Sequence, residues 1–393
     1  MTTERLHYPG GQAMDATQRL RAVQASTSTE KLTQALEDPS PEVVRAAIGR
    51  LVDLRGHAAA NALRAALFDV DLSVVGDIAK ALQRVGDGGV AEMAIEALGD
   101  ERSTRRLAAI RALGAISTAR AASWLQSALD DDVAGVRSAS LDALARLGEH
   151  ASPAAAPACA RLLHDPLPHV RIAAIRAVAR LEPHPGALLA PAANDADRLV
   201  RLEVAGHVAS LPESAAKSLL ADPDLRVREA AARAAGTREV GALALLLTDD
   251  PAHDVRRAAA RALGATRDDR VADVLLPGLE DPDALVRAAV LRALEEILTR
   301  ATAVRRLCAE LASERAERRR VTVYALAHLS AREAAHDLAR LADDPDPDVR
   351  LALIASAEVL FDEPGALMRY LRSDADPAVR QAAGMWLLRA GRR

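Results

Sequence analysis

Aromatic side chains are scarce in this chain: Phe, Trp and Tyr together make up 2% of its 393 residues. Hydrophobic residues nevertheless reach 50%, so any core must be built from Ala, Leu and Val. A large globular core normally uses more of the bulky aromatic side chains. Small side chains instead suit helices that pack closely, because the distance between helix axes depends on the residues at the contact. The composition therefore favours closely packed helices.

The chain also has few cysteines, no long apolar run and little net charge. Its two cysteines, Cys159 and Cys308, form no CxxC pair, which fits a reducing compartment better than a disulfide framework. The longest apolar stretch, around Val240 to Leu247, is far below the roughly 20 residues that span a bilayer. The N-terminus lacks the apolar region of a signal peptide. We therefore expect a soluble cytoplasmic protein that does not enter a membrane.

A short motif recurs along almost the whole chain and is clearest at Val286 to Leu294. Its opening arginine has counterparts at near-constant spacing, and Gly76 fills the second place in the series. We call these residues the anchor arginines: Arg45, Arg106, Arg137, Arg171, Arg201, Arg228, Arg256, Arg287, Arg319, Arg350 and Arg380. Successive anchor positions lie 27 to 34 residues apart. A fixed period in this range is the signature of a stacked repeat array.

Each repeat is predicted to be a pair of helices. In the copy that starts at Arg270, apolar residues at helical spacing form a first helix that ends near Glu280. The turn Asp281 to Asp283 then interrupts the chain, since its proline cannot continue a helix and Asp favours turns. The second helix carries one wide apolar stripe, with Asp283 or a neighbour as its N-cap. Glycines placed after second helices are interpreted as C-terminal stops: Gly148, Gly236 and Gly264.

The motif resembles that of the HEAT-repeat family, in particular the short type named after phycobiliprotein lyases. That pattern is Asp-Pro, then Val-Arg, then Ala-Ala-x-Ala-Leu-Gly, and it stands here at Asp250-Pro251, Val255-Arg256 and Ala258 to Gly264. The resemblance covers about residues 30 to 390. It implies an all-α solenoid, a right-handed superhelix of about twelve HEAT-like helix pairs. We expect a flexible tail at residues 1–14 and a single solenoid domain at residues 15–393.

The anchor arginines are predicted to form a structural ladder. Each follows a buried valine and lies beside the Asp-bearing turn, so its guanidinium can bind the turn acid of its own or a neighbouring repeat. The alternative, a ladder that binds phosphates, fits this position less well. Gly76 has no guanidinium group to make this contact. We therefore predict that the junction around the second repeat is locally less stable than the junction around the ninth.

A second set of arginines lies five positions after the anchor or close by on the same helices. In HEAT pairs the second helix lines the concave surface, so these residues would form a basic row along an inner groove. We call them the ridge arginines: Arg111, Arg176, Arg180, Arg233, Arg261 and Arg292. Such a row would attract an acidic peptide, an acidic protein face or a polyphosphate backbone. The alternative is that arginine is a good helix former on a solvated face.

Larger side chains concentrate near the C-terminal end of the sequence. They form either a hydrophobic contact site for a partner or a terminal repeat that closes an open core. The residues are Tyr324, Phe361, Met368, Tyr370, Met385 and Trp386.

Signals for catalysis, metals or cofactors are weak. Four histidines lie near Cys159, but their spacing matches no compact zinc site: His150, His164, His169 and His184. No His-Glu dipeptide, Gly-rich phosphate loop or nucleophile elbow is present. The stretch from Gln126 to Val323 contains no aromatic residue, which disfavours base stacking. We expect no cofactor and no metal.

The sequence therefore favours a non-catalytic scaffold or assembly factor that binds a protein or peptide partner along the groove, and the basic row favours an acidic partner. Two other functions stay open. One is an enzyme or lyase-like chaperone that holds a small molecule or modified peptide in the groove. The other, less favoured, is sequence-independent binding to a nucleic-acid backbone.

Overall fold

The computed structural model describes residues 14–116, 119–148 and 151–390. Over these residues the chain forms 25 α-helices joined by turns and short 3-10 segments, without a β-strand. The predicted all-α solenoid is confirmed. The predicted flexible tail, residues 1–14, lies outside the described residues except for Met14.

Contacts between residues divide the chain into two compact units, Met1–Glu203 and Val204–Arg393. The boundary falls inside one helix, Arg198–Ala205 (α13). Unit 1 contains Ala16–Ala25 (α1), Thr29–Ala35 (α2), Pro41–Leu54 (α3), His57–Ala66 (α4), Val75–Arg84 (α5), Val90–Ala97 (α6), Ser103–Ile116 (α7), Ala119–Ser127 (α8), Ala134–Leu147 (α9), Ala155–Arg161 (α10), Pro168–Leu181 (α11) and Gly186–Leu189 (α12).

Unit 2 continues the same alternation of shorter and longer helices. It contains Glu213–Leu220 (α14), Leu225–Ala234 (α15), Val240–Asp249 (α16), His253–Ala265 (α17), Ala272–Leu275 (α18), Ala284–Ile297 (α19), Arg300–Glu310 (α20), Ala316–His328 (α21), Ala335–Ala339 (α22), Pro347–Leu360 (α23), Gly365–Leu371 (α24) and Pro377–Ala390 (α25). The odd-numbered helices from α3 onward are the second helices of the repeats, and each carries one anchor position.

Packing within each unit follows the sequence pattern. Second helices stack on their neighbours, as α7 does on α9 and α17 on α19, while the first helices lie against the second helices of their own repeats. In α19 the buried residues form the expected apolar stripe: Val286, Ala289, Val290, Ala293, Leu294 and Ile297. Burial of these stripes between repeats is the main source of stability in such arrays, because no repeat can bury its apolar face alone.

The Asp-containing turns start the second helices as predicted. Asp283 accepts hydrogen bonds from the backbone N–H groups of Leu285, at 2.8 Å, and Val286, at 3.2 Å, and so caps α19. Pro168 and Pro347 occupy the first turns of α11 and α23, where a missing N–H costs no helical hydrogen bond.

Only one of the three glycines acts as the predicted helix stop. Gly148 ends α9 with φ of 52°, in the left-handed region that favours glycine. Gly236 has extended backbone, and Gly264 lies inside α17 instead of after it. The prediction for Gly264 was wrong because the residue serves a close approach between helices: a Cβ there would lie 2.8 Å from the Cα of Ala293 in α19.

Candidate functional site

Most anchor arginines link two successive turns with one guanidinium group. The Nε and Nη2 of Arg137 donate to the two carboxylate oxygens of Asp165, in the next turn, at 2.7 and 3.0 Å. Its Nη1 donates to the backbone oxygen of Asp131, in its own turn, at 2.9 Å. We call this arrangement a rung. It recurs in these pairs: Arg106–Asp131, Arg171–Asp195, Arg228–Asp250, Arg256–Asp281, Arg319–Asp344 and Arg350–Asp374.

The rungs are largely shielded from water, which strengthens their charge-assisted hydrogen bonds. The side chains of Arg319 and Asp344 are 11% and 3% exposed. Burial opposes ionisation of Asp165, but hydrogen bonds from Arg137 and from the Leu167 backbone outweigh it, so the pKa of that carboxyl lies below its usual range. Each acid also accepts from the amide two residues on, as Asp165 does from Leu167 at 2.9 Å. One aspartate thus shapes a turn and joins two repeats.

Sequence reasoning missed the first rung. Arg19 in α1 donates from Nε and Nη2 to Asp38 at 2.7 and 3.2 Å, and from Nη1 to the Met14 backbone oxygen at 2.7 Å. A signal was present, because Arg19 precedes Arg45 by 26 residues, close to the repeat period. The array of rungs therefore begins one repeat earlier than the periodic motif indicated.

Four anchor arginines show other contacts. Arg45 binds Asp77 at 3.1 Å, and the two side chains are 48% and 44% exposed. Arg201 and Arg380 donate from Nη1 to the backbone of their own turns, at Asp195 and Asp374. Arg287 does the same at its own turn, but it meets no carboxylate within the described part of the chain.

Among the contacts of the described residues, the junctions at Gly76 and at Arg287 lack a rung for opposite reasons. At the first, Gly76 supplies no guanidinium for Asp100, which is instead bound by Arg102 at 3.2 Å and Arg105 at 3.1 Å. At the second, Arg287 has no acid to bind, because Ser313 stands where the other turns carry aspartate.

In both cases the next repeat replaces its buried valine with arginine. Arg105 precedes the anchor of α7, and its guanidinium lies 5.8 Å from the ring centre of Phe68. Arg318 precedes the anchor of α21 and pairs with Glu280, and with Glu310 at 3.5 Å. Its side chain is 12% exposed, so it is nearly as buried as the arginine of a rung. A valine-to-arginine change inside the motif was the signal that sequence reasoning did not use.

We expect faster amide exchange at the Gly76 junction than at a junction with a rung. The ninth repeat, which the sequence suggested as reference, adjoins the gap at Arg287, so the rung Arg137–Asp165 is the better reference. Hydrogen–deuterium exchange measured by mass spectrometry should show the turn at Asp100 exchanging about tenfold faster than the turn at Asp165, which corresponds to about 1.4 kcal/mol of local stability. Equal protection would mean that Arg102 and Arg105 replace the missing rung fully.

The ridge arginines of unit 1 are all exposed. Arg176 donates to both carboxylate oxygens of Glu203, at 2.9 and 2.8 Å. Arg111 donates from Nη1 to the Leu72 backbone oxygen at 3.0 Å. Arg180 makes no hydrogen bond or ion pair to any residue that the structure describes.

The ridge arginines of unit 2 are exposed on three consecutive second helices, α15, α17 and α19. Arg233 pairs with Glu229, and Arg292 lies 3.5 Å from Glu296. Arg261 forms no ion pair among the described residues. It lines a cavity of about 220 Å³, whose other charged residues are Glu229, Arg233, Asp254 and Arg257. Acids on the second helices therefore interrupt the basic row that the sequence indicated, and Arg261 offers the free guanidinium.

Beyond α19, the second helices of unit 2 expose apolar side chains. Tyr324 is 44% exposed, Met385 47% and Leu388 67%. Of the larger residues that the sequence grouped together, Tyr370 is also exposed, whereas Met368 is fully buried in α24. Met368 thus belongs to the core, whereas Tyr324, Tyr370 and Met385 lie at the surface.

Among the residues that the structure describes, neither a metal cluster nor a reactive Cys159 thiol is found. Over the described residues, no three His, Cys, Asp or Glu side chains form a cluster that could hold a metal ion; His150 lies outside these residues. Burial raises the pKa of the Cys159 thiol to about 12, so this cysteine is not a nucleophile at neutral pH. None of the described helices combines the length and the apolar character needed to cross a bilayer.

The family comparison agrees with the helix pairs and their rungs. A family model described as HEAT repeats matches residues 69–145 and 240–327. These two regions of the chain contain HEAT repeats. Both matched regions include junctions with rungs, and the second also spans the gap at Arg287. The lyase-type subtype of these HEAT repeats stays a prediction.

Two solved structures of one karyopherin resemble the fold of this chain. The karyopherin Kap121p bound to the extreme C-terminus of the protein phosphatase Cdc14p is 13% identical, with a TM-score of 0.52, over 92% of this chain and 47% of that chain. Kap121p bound to RanGTP is 14% identical, with a TM-score of 0.52, over 94% and 52%. This chain therefore spans about half the length of those karyopherin chains, and the likeness concerns the fold. No curated protein shows a significant sequence match.

Proposed function

We propose that this chain is a non-catalytic scaffold that binds a protein partner through the exposed faces of its second helices. The observation that carries the proposal is the row of exposed guanidinium groups on α15, α17 and α19 in unit 2: Arg233, Arg261 and Arg292. The rung Arg228–Asp250 joins α15 to the turn before α17, and the rung Arg256–Asp281 joins α17 to the turn before α19. A row of charges on a rigid frame suits the recognition of a fixed pattern on a partner.

The charge pattern favours a protein partner with acidic side chains over a uniform polyanion. Glu229 and Glu296 lie beside Arg233 and Arg292, so a continuous phosphate backbone would meet carboxylates as well as guanidinium groups. A protein surface can place acids opposite the arginines and donors opposite the glutamates. Arg261, with five donors in a planar fork, is suited to bidentate binding of a carboxylate. The Kap121p structures provide examples of this fold bound to protein partners.

Charge reversal at the row should weaken partner binding. We expect the triple variant R233E/R261E/R292E to bind a partner purified from native lysate at least tenfold more weakly, about 1.4 kcal/mol, because each substitution replaces attraction with repulsion. Affinity would be measured by titration calorimetry at several salt concentrations. The helical content of the variant should be unchanged, since all three side chains are exposed.

A matched control separates the row from net charge. The variant R270E/R332E/R340E makes the same change in charge at exposed positions away from the second helices, where these arginines are 87%, 56% and 72% exposed. It should bind the partner like the wild type. Equal weakening by both variants would show long-range attraction only, and unchanged binding by the row variant would rule the row out. Loss of a bound nucleic acid at high salt would instead support backbone binding.

A cavity in unit 2 supports a second function, the holding of a small apolar molecule. A cavity of about 1000 Å³ lies between the first helices α14 and α16 and is lined by Leu220, Leu245 and Leu246, among others. This volume is at the upper end of that of ligand sites, and Leu245 is 64% exposed. Native mass spectrometry of freshly purified protein tests this function. A bound small molecule that is lost in the variant L245E would support it.

A further inference from the structure

A cavity between α15 and α17 brings three guanidinium groups and two carboxylates to one place. Arg233 pairs with Glu229 on α15. On α17, Nη2 of Arg257 donates to the carboxylate of Asp254 at 2.5 Å. Arg261, one helical turn further along α17, is the third arginine of the lining, and it meets no carboxylate in the part of the chain that the structure describes. The cavity therefore carries one positive charge that is not balanced by a neighbouring acid.

The sequence of α17 explains why Arg261 is left without an acid. Side chains three and four positions apart are neighbours on the surface of a helix. Around Arg261 these positions hold Arg257, Ala258, Gly264 and Ala265. The only charged neighbour is thus another arginine, and like charges at this spacing repel each other. An anion in the cavity would relieve that repulsion.

The rest of the lining is small and apolar. It consists of the side chains of Ala258 and Ala262, which are buried, and of Ala265, which is exposed. The volume of the cavity is about 220 Å³, the space of about seven water molecules at roughly 30 Å³ each. That space admits a carboxylate together with the methylene groups that carry it, and the methylene groups would contact the alanine side chains. Its size and lining fit a glutamate side chain.

We propose that this cavity is the subsite for one glutamate side chain of the protein partner, an inference that rests on the proposed function of the row. Both oxygens of the glutamate carboxylate accept from the planar fork of Arg261, which forms the third ion pair of the cavity. A single negative charge balances the lining. A phosphate group would bring almost a second charge beside Glu229 and Asp254, so the subsite selects a carboxylate.

A fluorescein-labelled peptide of eight glutamates, followed by fluorescence anisotropy, tests the subsite. Extended at roughly 3.3 Å per residue, it is long enough to reach all three helices of the row, whose axes are expected to lie about 9 Å apart. The variant A265E should bind the peptide about fivefold more weakly than the wild type. The physical reason is that the new carboxylate, four positions after Arg261, forms the missing ion pair within the chain.

Matched controls separate the cavity from net charge. The variant A355E makes the same substitution at an exposed alanine of α23 that does not line the cavity, and it should weaken binding less than about twofold, because one exposed charge contributes little. The variant A265L fills the cavity without changing the charge and should weaken binding as A265E does, whereas A355L should bind like the wild type. The helical content of all four variants should be unchanged, since both alanines are exposed.

Equal weakening by A265E and A355E, unchanged binding by A265L, or a wild-type protein that does not bind the peptide would overturn the subsite. Inorganic phosphate at constant ionic strength should not displace the peptide, and displacement would overturn the selection of a carboxylate. The proposed function is tested separately, by the binding of the purified partner to R233E/R261E/R292E. The subsite can therefore fail while the row stands, and the row can fail while the subsite still binds glutamate.

Discussion

Replacing Asp344 with alanine should lower the free energy of unfolding of this protein by about 3–5 kcal/mol, the range for removing one partner of a buried ion pair. Asp344 is 3% exposed, and Arg319, whose guanidinium it holds, is 11% exposed. The substitution leaves a positive charge in a site with little access to water. It also removes the acceptor for the Asp346 amide, 2.9 Å away, which shapes the turn before α23. Chemical denaturation, followed by far-UV circular dichroism, measures the loss.

The control for this variant is an ion pair of the same chemistry at the surface. Asp77 binds Arg45 at 3.1 Å, and the two side chains are 44% and 48% exposed. The variant D77A should cost less than about 1 kcal/mol, because solvent screens an exposed pair. Equal effects of D344A and D77A would show that burial does not set the strength of the rungs.

A double substitution separates the lost pair from the stranded charge. In D344A/R319M no buried charge is left without a partner, so the double variant should be more stable than D344A alone. If the loss of unfolding free energy in the double variant instead equals the sum of the losses in the two single variants, the two residues act independently and the rung is not a unit.

Replacing Gly264 with alanine should lower the free energy of unfolding by about 1–3 kcal/mol, the range for overpacking. A Cβ at this position would lie 2.8 Å from both the Cα and the Cβ of Ala293, and 3.1 Å from the Glu296 carboxylate. To relieve this steric clash, α17 and α19 must move apart, which stretches the rung Arg256–Asp281 at their turns. The midpoint of denaturation should fall, and exchange should quicken in both helices.

The control is a helical glycine with free space around it. A Cβ at Gly49, inside α3, would meet no atom within 4 Å. Alanine there should raise the free energy of unfolding by about 0.5–1 kcal/mol, because alanine loses less conformational entropy in a helix than glycine. The same substitution therefore has opposite signs at the two positions. Stabilisation by G264A would contradict the close packing of α17 on α19.

The architecture could be predicted because its signals are local. The apolar stripe of α19 and the Asp-Pro turns before second helices depend on residues within one or two helical turns of each other. The repeat period then placed the second helices of the array and their anchors. Gly264 shows where local reasoning fails. A glycine after an apolar stripe is typical of a helix stop, but its role here is set by Ala293, 29 residues later.

The sequence placed the ridge arginines on second helices but did not indicate their ion pairs. All six ridge arginines lie on second helices and are exposed. Their acidic neighbours come from the same helix, as Glu229 beside Arg233, or from the next, as Glu203 beside Arg176. The pairing with Glu203 depends on how two repeats stack, so the sequence alone did not indicate which guanidinium groups are free.

The sequence by itself determined the helix pairs, their period and the positions of the anchor arginines, because hydrophobic periodicity and turn chemistry act over a few residues. Only the tertiary structure decided which acid each guanidinium binds, that Arg19 starts the series, and that the junction at Arg287 and Ser313 is incomplete. Those contacts join residues that are more than 18 positions apart, as in the case of Arg19 and Asp38. Their distances are set by the stacking of one repeat on the next, which no local pattern encodes.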